Sequence, residues 1–205
     1  YRISNIGVVR YFVKRIMANL TKPTSINAIY KDIKSQGLKV SKDDLYLWAN
    51  YICDIFMFIR ISRYDRSLVK EQKSLDKYYC IDNGLRGAVL MPQSNDNGKG
   101  LENIVLLQLN RIKQPSDKIT YYQGDKECDF VHQRNESVIL LIQVTWDMTD
   151  ESTRAREISG ILEASQVTGC DNLLIITKEE ECMIEIEGKR IQVLPAWKWL
   201  LTPVE

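Results

Sequence analysis

An unbroken apolar run, Val138-Ile139-Leu140-Leu141-Ile142, constrains this chain more than any other stretch. Successive strand side chains point to opposite faces, so a run without polar alternation suits a strand covered on both sides. Downstream, the spacing predicts a helix over about residues 150–167, with Ile158, Ile161 and Leu162 on one face, and then a strand at 173–177. Strand, helix and strand in that order form a crossover between parallel strands. Further strands are predicted at 119–123, 128–133, 183–187 and 190–194, with the apolar strand extending over 138–145. Glu187-Gly188 reads as a hairpin turn. A helix is expected from near Leu101 to about Ile112, after a polar loop over 92–100. A short docking helix ends the pattern, with Trp197 and Trp199 as packing anchors.

The first part of the chain has a different periodicity. Val9, Phe12, Val13, Ile16, Met17 and Leu20 recur at three- and four-residue spacing, as on one helix face. Ser25 is placed to cap a second helix through Ile26, Ile29 and Ile33, which Gly37 stops. Ser41 and Asp44 form a capping-box pattern ahead of a third helix through Leu45, Trp48 and Ile52. Two short strands follow, Phe56-Met57-Phe58-Ile59 and Lys77-Tyr78-Tyr79-Cys80-Ile81, around a basic turn. Three helices and a strand hairpin are the order of a winged helix-turn-helix. The third helix takes the recognition position, and the wing lies between Ile59 and Tyr79. Arg60, Arg63, Arg66, Lys70, Lys73 and Lys77 give that wing a local basic excess suited to DNA phosphates. The recognition helix itself carries Asp43, Asp44 and Trp48, which suits packing against protein instead. The reading divides the chain into a winged-helix domain, 1–85, and an α/β domain, 86–205, so that the whole is α+β.

The 28 Lys+Arg and 27 Asp+Glu give a net charge of +1, so any nucleic-acid surface has to be local. No apolar run approaches the roughly 18 residues of a membrane-spanning helix, and no membrane partner is expected. Five dispersed cysteines without a C-x-x-C pair, and one histidine, disfavour structural zinc and fit a reducing cytoplasm. The opening at Tyr1 reads as a cut inside a longer protein.

Glu102 on the 101–112 helix, Asp129 at the head of the 128–133 strand, and Gln143 with Thr145 at the end of the apolar strand are brought together by this architecture. The pattern resembles the restriction-endonuclease-like, PD-(D/E)XK, superfamily. There a helix Glu, a strand Asp and an (Asp/Glu)-x-Lys place carboxylates around Mg²⁺. The resemblance implies Glu102 and Asp129 as metal ligands and a mixed sheet flanked by helices. The chain is also similar to the C-terminal region downstream of the ATPase module in prokaryotic AAA+ proteins. The matching stretches include Lys77 to Leu85, Gly100 to Val105, Glu127 to Val131, Ile142 to Thr145, Arg154 to Ile158 and Leu194 to Leu201. That resemblance implies ATP on an upstream module, since the chain carries no G-x-x-x-x-G-K-[ST] loop.

Two departures decide the chemistry expected. Gln143 stands where the superfamily has an acid, and Thr145 where it has the lysine, which removes a negative ligand and a charge-stabilising cation. Losing one such electrostatic contact costs about a hundredfold or more in rate. Lys126, from the neighbouring strand, is the candidate substitute cation. The expectation is therefore a non-catalytic module binding DNA or a protein partner, with a Mg²⁺-dependent nuclease and a protein-interaction or oligomerisation domain as alternatives. His132 is expected on the surface or partly buried, and Arg154, Arg156 and Glu157 either face the same cleft as Gln143 or form a solvated helix face. Trp146 and Asp147 are expected at the cleft mouth.

Overall fold

The computed structural model describes residues 5–91 and 96–201, which form a mixed α+β structure. The chain divides into two compact units, Tyr1–Ile61 with Ser74–Gln93, and Ser62–Lys73 with Ser94–Glu205. One internal segment, Ser62–Lys73, belongs to the second unit.

In the first unit, α1 (Ile6–Ala18) is capped by the Asn5 side chain accepting from the Val8 N–H. It buries Val8, Phe12, Ile16 and Met17 along one face. A two-residue strand, β1 (Pro23–Thr24), leads to α2 (Ile26–Ser35), capped by Ser25 and buried through Ile26, Ile29 and Ile33. Gly37 follows at φ +74°, the left-handed conformation that glycine adopts without a Cβ penalty. The capping box at Ser41 and Asp44 opens α3 (Lys42–Asp54), which buries Leu45, Trp48, Ala49 and Ile52. Phe12 meets Trp48 edge to face, with centroids 6.1 Å apart, at the centre of this core.

From β2 (Phe58–Ile61) the chain passes through α4 (Leu68–Lys73) in the second unit and returns to β3 (Asp76–Cys80). β3 pairs antiparallel with both β2 and β1, giving the order β1-β3-β2. Phe56 and Met57 were expected in β2 but instead close α3. The Phe56 N–H donates to the Cys53 carbonyl and the Met57 N–H to the Ile52 carbonyl, and Phe56 sits at φ +57°. The short α5 (Asn83–Val89), capped by Asp82, completes this unit and buries none of its residues.

In the second unit α6 (Asp96–Ile112) starts earlier than expected. Residues 96–100, expected in the polar loop, are helical. The apolar face of Leu101, Val105, Leu106 and Leu109 is buried, and tertiary packing of such a face outweighs local propensity. Residues 92–95 of that expected loop lie outside the described residues. The strands β4 (Asp117–Gln123), β5 (Glu127–Arg134), β6 (Ser137–Val144), β7 (Leu173–Thr177), β8 (Cys182–Ile186) and β9 (Lys189–Pro195) form one sheet of order β4-β5-β6-β7-β9-β8. β4, β5 and β6 are antiparallel, β6-β7 and β7-β9 are parallel, and β8 returns antiparallel on β9. Glu187 and Gly188 both take positive φ at the β8–β9 hairpin, as a type I′ turn requires.

The crossover helix α7 (Glu151–Thr168) runs from an Asp150 cap to Gly169 at φ +77°. Its Ile158, Ile161, Leu162 and Ala164 pack with Val131, Leu141, Leu173, Ile175, Ile191 and Val193. Gly160 brings α7 against β5 so closely that an added Cβ would lie 2.2 Å from the Glu127 carbonyl oxygen. α6 packs against β6, and α8 (Ala196–Leu200) against β7 and β9. β7 is buried at every position, whereas the apolar run of β6 is only half-buried from Val138 to Leu140 and fully buried from Leu141 onward. Trp197 does not anchor α8: 59% of its surface is exposed, and the buried residue of that helix is Ala196.

Candidate functional site

Near the start of β5 and the end of β6, Asp129 and Gln143 face one another across the strand pair, one step beyond the Phe130–Ile142 register. The Gln143 side-chain Oε1 accepts from the Asp129 N–H at 3.2 Å, and the Asp129 Oδ2 accepts from the Val144 N–H at 2.9 Å. Side chains therefore complete the ladder where backbone pairing stops. The Gln143 amide nitrogen donates to Glu157 Oε2 on α7. Glu157 in turn accepts from Arg156, at 3.1 Å from Nε and 2.5 Å from Nη2. Asp129, Gln143, Thr145 and Glu157 are all buried, while the Arg156 side chain is mostly exposed. Hydrogen bonding to Glu157, with its charge, holds the Arg156 guanidinium above its ordinary pKa.

Glu157 is not on a solvated face: only 4% of its surface is exposed. It sits four residues before Ile161 and seven before Ala164, both buried, so helical spacing in the sequence carried that signal. Arg154, by contrast, is exposed. The Thr145 hydroxyl donates to the Asp147 carbonyl oxygen at 3.0 Å and so closes the turn after β6. Glu102 is buried in the second turn of α6, not at the helix start, so attraction to the positive helix end does not explain it. Lys126 is exposed in the β4–β5 turn. That turn is held by Glu163 of α7, which accepts from the Asp125 N–H at 2.9 Å, the Lys126 N–H at 3.0 Å and the Tyr122 hydroxyl at 2.8 Å. Burial and the Glu163 hydrogen bond push the Tyr122 hydroxyl up to about 12. Among the described residues no group of three or more His, Cys, Asp and Glu is arranged to hold a metal ion.

His132 is buried, deeper than the surface or partly buried position expected. Its Nε2 lies 2.8 Å from Oδ2 of Asp117, whose Oδ1 accepts from Arg134 Nε at 2.8 Å. The Arg134 guanidinium holds the Asp117 carboxyl well below the usual carboxylate range, aided by the Gln114 N–H and His132. Trp146 is half-buried beneath the Lys178 ammonium, 5.6 Å from the ring centre, and Asp147 is exposed.

The basic residues of the expected wing divide. Arg60 donates to the Asn50 side chain at 3.2 Å and lies 3.6 Å from Asp76. Arg63 pairs with Asp65 at 3.4 Å, and Arg66 donates to the Val167 carbonyl oxygen at 2.8 Å. Lys70 and Lys73 are exposed on α4, whereas Lys77 is fully buried and cannot reach a phosphate. The Ser62–Lys73 segment does not project as a loop. Tyr64 donates its N–H to the Tyr121 carbonyl and Tyr121 returns one to Ser62, so the segment covers the open edge of β4.

Residues 1–96 match a domain of unknown function (DUF8612). The chain is 29% identical to the uncharacterized protein MJ1544 of Methanocaldococcus jannaschii, over 98% of its own length and 45% of that protein. It is 25% identical to an uncharacterized protein of Haemophilus influenzae, over 93% of its own length and 44% of that protein. Both relatives are prokaryotic, and the chain spans less than half the length of each. No solved structure matches it. Among the described residues no helix is long and apolar enough to cross a membrane.

Proposed function

We propose that this chain is a non-catalytic module from the C-terminal region of a prokaryotic AAA+-type ATPase, in which a nuclease-like site has become a structural brace. The observation that carries this reading is the Gln143 amide, which accepts from the Asp129 backbone and donates to the buried Glu157 carboxylate. An acid at position 143 would set two carboxylates against each other, and like charges so close cannot both ionise without a cation between them. Glutamine removes that conflict and gives Glu157 a donor. The donor set does not fit Mg²⁺, which prefers several charged oxygens in near-octahedral array. Gln143 spends its oxygen on a backbone N–H, and Thr145 spends its hydroxyl proton on a carbonyl.

Other features support the same assignment. In the first unit, three helices and a sheet of order β1-β3-β2 fit a winged helix. In the second, α6, β4, β5, β6, α7 and β7 follow the element order of a restriction-endonuclease-like core. The relatives carry more than half their length outside the shared stretch, which leaves room for a nucleotide-binding module. Dispersed cysteines fit a cytoplasmic protein. Of the two partner classes, protein is favoured over DNA, because Arg60, Arg63 and Arg66 are engaged internally.

Incubation with plasmid or single-stranded DNA and Mg²⁺ or Mn²⁺ tests the brace, and no cleavage is expected. Cleavage that Asp129→Ala abolishes overturns it. ATP hydrolysis by the full-length protein, lost on mutation of a phosphate-binding loop outside this chain, is the result expected for the ATPase assignment.

A further inference from the structure

We propose that the outward face of α3, with Phe56 just beyond its C-terminal end, docks a protein segment that carries apolar side chains between two cations. This inference goes beyond the binding-module reading by naming a surface and the chemistry of its partner. Asp43, Tyr46, Leu47, Asn50 and Asp54 recur at three- and four-residue spacing and form one exposed stripe opposite buried Leu45, Trp48, Ala49 and Ile52. Tyr46 and Leu47, at the middle of the stripe, keep 47% and 43% of their surface in solvent. Asp43 and Asp54 mark its ends, eleven residues or about 16 Å apart along the axis.

The C-terminal end of this helix carries three features that each cost the isolated fold. Asp54 stands at the negative helix end, where a carboxylate is disfavoured and α3 supplies no basic residue in its last turn. Among the described residues no cation pairs with Asp54. Phe56 occupies the left-handed position that usually takes glycine, a conformation that the Cβ of an L residue disfavours. Phe56 nevertheless remains 76% exposed, beside Ile55 at 56%. A partner cation over Asp54 and an apolar side chain against Phe56 relieve the electrostatic penalty and the exposure together.

Charge decides the class of partner. On this face the acids Asp43 and Asp54 repel a phosphate backbone. Arg60, the nearest base to Asp54 along the chain, is already committed to Asn50 and Asp76. Lys42 lies over the Tyr46 ring, 5.8 Å from its centre, and is the one cation in the first turn.

The test is ¹⁵N chemical-shift mapping on the whole 205-residue chain. Three probes are used: a helical lysine–leucine peptide with cations eleven residues apart, its glutamate–leucine twin, and a 20-base-pair DNA duplex. The lysine peptide is expected to shift Tyr46, Leu47, Asp54 and Phe56, and the glutamate twin to leave them unmoved. Asp54→Lys is expected to weaken the peptide at least about tenfold while stabilising the helix end, so misfolding cannot imitate that result. Leu47→Ser with Phe56→Ser is expected to abolish the shifts. Equal response to both peptides, silence of α3, or salt-sensitive duplex binding on α3 each overturns the proposal. DNA cleavage by the second unit would overturn the brace and leave this surface standing.

Discussion

In the second unit, the Gln143 amide and the Asp129 and Glu157 carboxylates lie out of solvent with their hydrogen-bonding groups turned on one another. In the first unit, Tyr46 and Leu47 on α3 and Phe56 just beyond it hold apolar surface in water. Residues that look catalytic by type are spent inside the fold, and residues that look like ordinary core material are left over. Recognition chemistry needs groups with unspent capacity, so a polar cluster is no better guide than an apolar face until its partners are counted.

Breaking the spent side is expected to have the largest effect. Gln143→Leu leaves the buried Glu157 carboxylate short of a donor and the Asp129 N–H without its acceptor, a loss of about 3 kcal/mol at the usual 1–3 kcal/mol per orphaned buried group. Urea denaturation reads it, and an unchanged midpoint would mean that the network braces nothing.

Asp117→Asn sharpens the same point at a further carboxylate whose side chain is out of solvent, with a loss of about 2 kcal/mol near neutral pH from weakened charge-assisted bonds. Its carboxyl is depressed on folding, so the stabilisation is complete above the unfolded value of about 4 and fades as pH falls below it. The wild-type and variant melting curves should converge in acid.

On the unspent side the signs change. Phe56→Gly relieves the positive φ and removes a ring that is mostly in water, so a gain of about 0.5–1 kcal/mol is expected in the same denaturation assay. Tyr46→Ser with Leu47→Ser is expected to move stability by no more than about 0.5 kcal/mol. A larger loss would return those residues to the core and erase the contrast.

Much of this was legible in the residues. The capping box at Ser41, the left-handed Gly37, the crossover at α7 and the Glu187-Gly188 turn follow from local chemistry, which acts within a few positions of itself. What escaped depends on remote partners. Glu157 reads as a solvated charge until the buried spacing to Ile161 and Ala164 is followed backwards. Lys77 reads as a wing cation although its neighbours in β3 are buried too, and α6 overrode two glycines because one face of it is packed. The pairing of Gln143 with Asp129 was foreseen as proximity around a metal, but the sequence did not reveal that the two side chains satisfy each other's strands.

The Ser62–Lys73 segment has a practical consequence. Because it leaves the first unit after Ile61 and re-enters at Ser74, no single cut liberates either half intact. A piece ending at Gln93 would carry an orphaned insert with exposed Leu68 and Val69, and a piece beginning at Ser94 would present the bare margin of β4. Bare sheet margins recruit other chains. Expression trials of the 94–205 piece should therefore give aggregates, and supplying residues 62–73 as a linked extension should restore a monodisperse product.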